Sequence, residues 1–423
     1  MLNTETIKEY ACSLGFDIVR ITTAEQFAEA ERVIKERIER GLMDGLPWFT
    51  KERADVSCHP DALLPQARSI IALGMVYLTE QPDEGVGAGE GQTCGEDPCA
   101  RPLPRGRISR YAWGDDYHDV IRPKLQQFAA WLREYARTEA GEELETRLFV
   151  DTGRMVDRAV AERAGLGWYG KNTNILTKGW GSWIFLAEVV TNLPLAADEP
   201  LKANCGSCEI CLHACPTHAL TAPYELDNRR CISYLTIELR GSIPLELRPL
   251  MGNLIFGCDI CQEVCPVNKV AEARLGLREG KAGGAFIASQ AIKRRGTTTA
   301  PFRPHEELRP RPGTGSSPEL IPLLSLTEEQ FRERFRHSPI KRAKRRGLLR
   351  NVCVALGNSG DPRAVPALIG ALHDHEPLVR GHAAWALGRI GGDQALAALH
   401  DALAIEEDGE VRQELRCALA QAE

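Results

Sequence analysis

The sequence predicts an α+β domain, then a cysteine-rich domain, then a helical repeat domain. Up to about residue 200, short apolar strand segments alternate with amphipathic helices. Eight of the 14 cysteines lie between Cys205 and Cys265. From about Leu348 the pattern is purely helical and repeats itself. We therefore expect an α+β domain over 1–200, a cluster domain over 201–275, an irregular basic linker over 276–346 and a repeat domain over 347–423.

The composition is that of a soluble globular protein, with 43% hydrophobic and 26% charged residues. No run of eighteen apolar residues is present, and the N-terminal segment carries early acids without the apolar core of a signal peptide. We therefore expect a cytoplasmic protein that does not bind a membrane. We also expect it to be a monomer. The formal net charge of -6 does not by itself indicate a class of partner.

The elements of the first domain can be predicted in order. Residues 25–40 have the pattern of a charged amphipathic helix, and 69–78 (SIIALGMVYL) that of a buried strand. Residues 81–106, rich in Gly, Pro and acids, are predicted to form a surface insertion. A long helix is expected from Tyr117, and a strand over 146–150 that ends at Asp151.

The second half of this domain contains a glycine-rich loop. A helix over 155–164 precedes GLGWYGKN (165–172), and a β pair is expected between 174–177 and 182–190, joined by KGWG. The loop could bind a cofactor phosphate or amide through its N–H groups, or it could be a plain turn.

Asp151 follows a strand directly, where active-site residues of such sheets collect. An aspartate in front of a helix is also a common N-cap. The pattern alone favours the cap.

The cysteines form two runs with a specific spacing. The first is Cys205-x2-Cys208-x2-Cys211-x3-Cys215-Pro216, the run of bacterial ferredoxins, and the second, over 258–266, repeats it one cysteine short. Cys231 lies between the runs and can complete a set of eight. Because the last cysteine of such a run reaches the neighbouring cluster, we assign four ligands to each of two [4Fe–4S] clusters. The first set is Cys205, Cys208, Cys211 and Cys265, and the second is Cys215, Cys231, Cys258 and Cys261.

A zinc site is the alternative interpretation, since paired CxxC motifs often hold zinc. Successive x2 spacings followed by x3-Cys-Pro fit zinc less well, and the motif recurs. Two clusters indicate one-electron transfer steps and hence a redox protein.

The C-terminal segment repeats at an interval of 31 residues, because ALGNSGD (355–361) returns as ALGRIGGD (386–393). Helix pairs that repeat with glycine at the turns indicate a short α-solenoid similar to HEAT repeats.

A basic segment precedes these repeats. Residues 332–350 contain nine Lys or Arg and one acid, which is typical of a phosphate-binding surface. The candidate RNA contacts are Lys341, Arg342, Lys344, Arg345, Arg346 and Arg350. A solvated helix face is the alternative, but few acids are interleaved to support it.

Several segments together resemble the epoxyqueuosine reductase family, which completes queuosine synthesis in tRNA. They are ALLPQARSIIALG (62–74), ISRYAWGDDYHDVI (108–121), VDTGRMVDRAVAERAGLGWYGKN (150–172), both cysteine groups, and GLLRNVCVALGN (347–358). These segments span nearly the whole chain in the order of the family.

The resemblance implies a nitroreductase-like α+β domain that binds one cobalamin against the first cluster. The implied reaction removes the epoxide oxygen of epoxyqueuosine at the tRNA wobble position, leaving an alkene and water at the cost of two electrons and two protons. It implies Asp151 as the proton donor, which must hold a proton near neutral pH. It also implies a tRNA with a GUN anticodon as substrate and an external low-potential electron donor.

The candidate cobalamin contacts lie in the glycine-rich loop, beside cluster ligands and near the start of the long helix. They are Tyr111, His118, Lys171, Asn172, Ile175, Ser233, Cys258 and Asp259. The corrinoid motif D-x-H-x-x-G is not matched, because Ile121 stands where its glycine would be. His118 could equally be a structural histidine.

Two other functions are compatible with clusters alone. A reductive dehalogenase shares both cofactor types, but it has no use for the basic segment and the repeats. A non-enzymatic electron carrier would leave Asp151 and the glycine-rich loop without a role.

Overall fold

The computed structural model describes residues 2–80, 102–274, 303–311 and 315–422. The chain divides into two compact units. The first comprises Met1–Glu80, Asp115–Arg229 and Ile260–Arg309, and the second Gln81–Gly114, Arg230–Asp259 and Pro310–Glu423. Residues 81–101 of the predicted insertion and 276–302 and 312–314 of the predicted linker lie outside the described residues. The linker was expected to be irregular, but its described part contains a helix, Glu328–Arg334.

The helices of the described chain are α1 (Thr4–Ser13), α2 (Ala28–Glu39), α3 (Lys51–Ser57), α4 (Pro60–Leu63), α5 (Tyr117–Ala140), α6 (Asp157–Arg163), α7 (Ile210–Ala214), α8 (Ile232–Ile237), α9 (Ile260–Glu263), α10 (Pro266–Arg274), α11 (Glu328–Arg334), α12 (Lys344–Ser359), α13 (Val365–Ala371), α14 (Pro377–Ile390), α15 (Asp393–Ile405) and α16 (Gly409–Ala422). The strands are β1 (Ile18–Thr23), β2 (Ser69–Val76), β3 (Arg107–Ile108), β4 (Thr146–Val150), β5 (Trp168–Tyr169), β6 (Ile175–Leu176), β7 (Ile184–Thr191) and β8 (Leu254–Phe256). Within the described ranges, none of these helices combines the length and the apolar character that crossing a membrane requires.

The first unit is built on a four-stranded sheet in the order β1-β2-β7-β4, in which all neighbours are antiparallel. The two inner strands are the longest and the most apolar, and every residue of β2 is buried. Such a strand can be stable only in the interior of a sheet that is covered on both faces. The expected α+β class is therefore confirmed.

The two faces of strand β7 contact different helices, because successive side chains of a strand point to opposite sides. Ile184 and Val190 pack in a core cluster with Ala159 and Val160 of α6. On the other face, Phe185 stacks on a ring of α5, that of Tyr117, with centroids 4.4 Å apart. The sheet thus brings the start of α5 close to the end of β4.

The β pair predicted on either side of KGWG was wrong. β6 pairs with β5, where Trp168 is opposite Leu176, and β7 pairs with β2 and β4. An isolated bridge between Thr177 and Gly181 remains at the predicted turn. Because β7 is apolar on both faces, it is more stable at the centre of the large sheet than in a two-stranded hairpin.

The second unit contains the helical repeats and the short parallel pair β3–β8. Gly357 and Gly388 occupy the same place in successive repeats. A Cβ at Gly357 would lie 2.7 Å from the Trp385 ring, and one at Gly388 would lie 2.7 Å from the Ala418 carbonyl oxygen. Glycine at this repeat position therefore lets α12 approach α14 and α14 approach α16 closely.

Candidate active site and cluster-binding segment

Asp151 occupies the first position after strand β4, as the sequence predicts. Its backbone φ is 48°, which non-glycine residues rarely adopt, and its side chain is exposed. The Tyr117 hydroxyl donates a hydrogen bond of 2.5 Å to the Asp151 Oδ2 atom. The carboxyl group is thus exposed to a reactant and oriented by a phenol that sequence analysis did not single out.

The alternative role of Asp151 as a helix cap was wrong. Helix α6 begins only at Asp157, its N-cap residue is Val156, and no side chain caps it. The intervening residues 151–156 form an irregular loop. This loop separates Asp151 from the helix and leaves the carboxyl group available for another role.

His118 lies beside the same loop. Its Nδ1 atom is 2.9 Å from the Asp116 carboxylate, and its Nε2 atom is 3.3 Å from the Thr152 hydroxyl. Asp116 is also the N-cap of α5, since its side chain accepts from the His118 amide. Both ring nitrogens therefore have partners, so the structural role weighed for this histidine accounts for its surroundings.

The glycine-rich loop supplies two buried polar side chains. Lys171 is 8% exposed, and its ammonium lies 3.2 Å from the carboxylate of Glu209. In the sequence, Glu209 stands between Cys208 and Cys211 of the first run. The Asn172 side chain is 4% exposed and donates to the carbonyl of Cys261 at 3.3 Å. The loop therefore contacts both cysteine runs.

Ile175 is a correction to the predicted cofactor contacts. Its side chain is 4% exposed and belongs to the core cluster that packs α6 on the sheet. Its side chain is therefore taken up by core packing, which accounts for its apolar character.

In the second unit, Asp259 organises the chain next to Cys258. Its buried carboxylate accepts from the Ser109 hydroxyl at 2.5 Å and from the Arg110 amide at 2.6 Å. These bonds fix the short turn that carries Tyr111, whose ring lies 6.0 Å from that of Phe256. Ser233 is half-buried in α8, which starts directly after Cys231.

The cysteine geometry fits four of the proposed cluster ligands. The cysteines of the described chain are thiols rather than disulfides, and all eight of the cluster set are partly exposed. Cys211 interacts electrostatically with Cys205 and Cys265, and Cys265 with Cys205 and Cys208. These are the four residues that the crossover rule assigns to the first cluster.

Backbone amides surround these sulfurs. The backbone amides of Cys211 and Leu212 form hydrogen bonds to the Cys211 sulfur. Those of Val267 and Asn268 form hydrogen bonds to the Cys265 sulfur. The Ala219 amide donates to the Cys215 sulfur at 3.3 Å. Burial raises the pKa of Cys211 to about 11. Binding to iron would favour the thiolate, and the amides would stabilise the charge on the sulfur.

In the described part of the chain, no three His, Cys, Asp or Glu side chains converge on the site of a single metal ion. A cubane differs from zinc in that each thiolate binds a different iron atom, so its sulfurs stand apart. Cys215 and Cys261 belong to the first unit and Cys231 and Cys258 to the second. The assignment of these four to the second cluster stays a prediction from spacing.

Two arginines of the basic segment are corrections to the RNA-binding set. Arg350 is 1% exposed, and its guanidinium donates to the carbonyls of Leu235, Leu239 and Gly241. Arg345 is 7% exposed and forms a two-pronged ion pair with Asp374. Neither guanidinium is available to a phosphate.

The other four basic residues remain at the surface. Lys341 and Lys344 are exposed, and Lys344 has a φ of 60°. Arg342 pairs with Glu238 at 2.5 Å, and Arg346 lies 3.9 Å from Glu376. These side chains can reach an external phosphate.

Comparisons with known proteins agree along the whole chain. A family model described as "4Fe-4S double cluster binding domain" matches residues 204–268, "Epoxyqueuosine reductase QueG, DUF1730" matches 58–152, and "HEAT repeats" matches 341–420. The epoxyqueuosine reductase of Bacillus subtilis is 36% identical over 97% of this chain and 94% of its own. That of Pseudomonas aeruginosa is 38% identical over 92% and 94%.

The chain belongs to the epoxyqueuosine reductase family.

Solved structures of epoxyqueuosine reductases have the same fold. One is 35% identical, with a TM-score of 0.83 over 99% of both chains. Another, with an epoxyqueuosine-modified tRNA-Tyr stem loop, is 34% identical, with a TM-score of 0.82 over 99% of this chain and 98% of its own. The matches to the family models confirm the predicted two-cluster domain and the HEAT-like repeats of this chain.

Proposed function

We propose that this protein reduces epoxyqueuosine to queuosine in tRNA, with two [4Fe–4S] clusters, one cobalamin and Asp151 as the proton donor. Family membership supports the reaction, and the position of Asp151 is the observation in this structure that supports the mechanism. Opening the epoxide to an alkene and water consumes two electrons and two protons. When bound, cobalamin would supply the redox-active centre at which the substrate is reduced.

The role of Asp151 follows from its setting. The epoxide oxygen is a poor leaving group as an alkoxide, so a positioned acid is required. Asp151 is exposed at the end of β4, and Tyr117 orients one of its oxygens. The B. subtilis epoxyqueuosine reductase has been solved with a catalytic aspartate loop swung out of the active site. The loop 151–156 of this chain would move in the same way.

Other residues would hold the cofactors. The first cluster would be bound by the four cysteines that interact electrostatically in the first unit, Cys205, Cys208, Cys211 and Cys265. Lys171 and Asn172 would border the cobalamin because they contact both cysteine runs. The Asp259 carboxylate would keep the Tyr111 turn at the second run. The sheet of the first unit would be a nitroreductase-like domain.

The surface lysines and arginines at 341–346 would bind the tRNA backbone. Lys344 at a φ of 60° is a strained position for a long side chain, and such strain often marks a functional site. The substrate would be a tRNA with a GUN anticodon, whose wobble base must leave the stack to react. We place the protein in the cytoplasm as a monomer that takes electrons from an external low-potential donor.

The test is Asp151→Asn in anaerobically reconstituted protein. Nucleoside mass spectrometry should show loss of queuosine formation by about 10²-fold or more, because a proton-transfer group contributes about 10²–10⁴-fold. Iron, cobalamin and tRNA affinity should be unchanged. Asp61→Asn, an exposed aspartate in α4, is the matched control. Wild-type turnover in Asp151→Asn would remove this residue from the mechanism.

A further inference from the structure

A carboxylate lies in the middle of the apolar sheet of the first unit. Glu188 is the fifth residue of β7 and is 1% exposed. Its Cα is paired with Ala72 of β2 on one side and Phe149 of β4 on the other. It points to the same face as Ile184 and Val190, which belong to the core cluster under α6. Burial of an isolated charge there would be very costly.

A second carboxyl group faces it. Asp157, the first residue of α6, is within hydrogen-bonding range of Glu188. The Asp157 Oδ1 and Glu188 Oε2 atoms are both closed to solvent, and neither has an N–H or O–H partner among the described residues. Two carboxylate oxygens cannot form a hydrogen bond unless one carries a proton. A hydrogen bond between these two carboxyl groups therefore needs a proton on one of them.

The surroundings favour that proton. Burial raises the pKa of Asp157 to about 7 and that of Glu188 well above its ordinary value. Asp157 raises the pKa of Glu188 further, whereas the hydrogen bond with Glu188 lowers that of Asp157. The negative charge of Asp151 also raises the pKa of both Asp157 and Glu188. Arg158 lowers the pKa of Asp157. Tyr169, of strand β5, also interacts with Asp157 and is a neutral phenol, because burial raises the pKa of Tyr169 to about 12.

The reaction needs two protons, and Asp151 can give only one at a time. We infer that Asp157 and Glu188 share a proton behind the 151–156 loop and return it to Asp151 after Asp151 has protonated the substrate. An O–H bond of the pair breaks and an O–H bond on the Asp151 carboxylate forms, so no electron is transferred. Asp157 as a whole is only partly buried, so the pair then takes a proton from solvent through Asp157. This role rests on the proposed deoxygenation, although the shared proton itself does not.

Infrared spectroscopy tests the shared proton without turnover. Reconstituted wild-type protein at neutral pH should show the carbonyl stretch of a protonated carboxyl group, and Glu188→Gln should lose it. Glu162→Gln, which removes another carboxyl group from α6, should keep the band. If Glu188→Gln does not fold with its iron, Asp157→Asn takes its place. An unchanged band in the folded variant would overturn the inference.

Kinetics test the transfer. Glu188→Gln and Asp157→Asn should lower kcat by about 10²-fold with an unchanged KM for tRNA, and a small weak acid such as acetic acid should partly restore kcat. A purely structural defect would not respond to the added acid. If wild-type protein makes no queuosine, the proposed function fails whatever the pair does. If the wild type is active and both folded variants match its kcat and pH profile, the proton-return role fails.

Discussion

At the scale of single residues, the sequence predicts the position of Asp151 but not its partner. A strand that ends in an aspartate can be recognised from the pattern of 146–151. The contact with Tyr117 depends on α5 packing across β7, where the Phe185 and Tyr117 rings stack. That packing joins residues 68 positions apart, which no local periodicity encodes. The glutamate within the apolar strand IFLAEVV was the available signal for the buried pair.

Removal of the Tyr117 hydroxyl tests how Asp151 is oriented. We expect Tyr117→Phe to lower kcat by about tenfold or more, because a hydrogen bond to a charged group contributes about 1.5–3 kcal/mol. The ring stacking on Phe185 is retained, so thermal stability should change little. Single-turnover rates measure the effect, with Tyr135→Phe on the same helix as the control. Equal rates for Tyr117→Phe and wild type would show that Asp151 does not depend on this bond.

Stability should depend on pH through Asp157. Its pKa is raised from 3.8 to about 7, so the unfolded chain loses this proton at lower pH than the folded protein does. The contribution of Asp157 to the free energy of unfolding is therefore full below its ordinary pKa and is lost as the pH rises towards about 7.

Thermal unfolding at about pH 5 and about pH 7 measures this effect. The stability of Asp157→Asn relative to wild type should improve as the pH rises, because the variant has no such proton to lose. Parallel pH curves for the two proteins would contradict the raised pKa.

At the scale of elements, the repeat period of 31 residues was predicted because it reflects short-range packing of neighbouring helices. The basic segment shows where such reasoning stops. Arg345 and Arg350 have the same residue type and local spacing as the exposed bases, yet they are buried. Arg350 is buried against the carbonyls of the 235–241 chain, whereas Arg345 is buried against Leu326 and Asp374. These partners lie outside α12, so the local pattern does not show which arginines face solvent.

Arg350 should therefore stabilise the second unit rather than bind RNA. Arg350→Lys removes the guanidinium group, which donates hydrogen bonds to three backbone carbonyls. A lysine cannot reach all three, so buried acceptors are left unpaired. We expect a loss of roughly 2–4 kcal/mol in unfolding free energy. Amide exchange over α8 and the residues after it measures this loss. Arg346→Lys, at a partly exposed position, is the control, and equal exchange in the two variants would contradict the structural role.

The exposed bases should contribute to tRNA affinity. Lys341→Glu combined with Lys344→Glu should weaken stem-loop binding and reduce the slope of log Kd against log salt by about two, because each lysine would neutralise one phosphate. Arg32→Glu combined with Lys51→Glu makes the same charge change on the first unit at exposed positions. Equal affinity and slope in the two double variants would place the tRNA elsewhere.

At the scale of the whole molecule, the order of an α+β domain, a cluster segment and a helical repeat was predicted correctly. The sequence did not predict that the compact units would interleave along the chain. Residues 230–259, between the two cysteine runs, belong with the repeats, whereas helices α7 and α9 belong with the sheet. The buried bonds of Arg350 and Asn351 to the chain at 235–255 explain the first of these assignments.

The most direct test of the account is anaerobic conversion of an epoxyqueuosine-containing tRNA by protein reconstituted with iron, sulfide and cobalamin. A chemical reductant should drive formation of queuosine, with two electrons consumed for each nucleoside formed. Protein that lacks either the clusters or cobalamin should make none. Full clusters and bound cobalamin without any queuosine would contradict the central claim that this chain deoxygenates epoxyqueuosine.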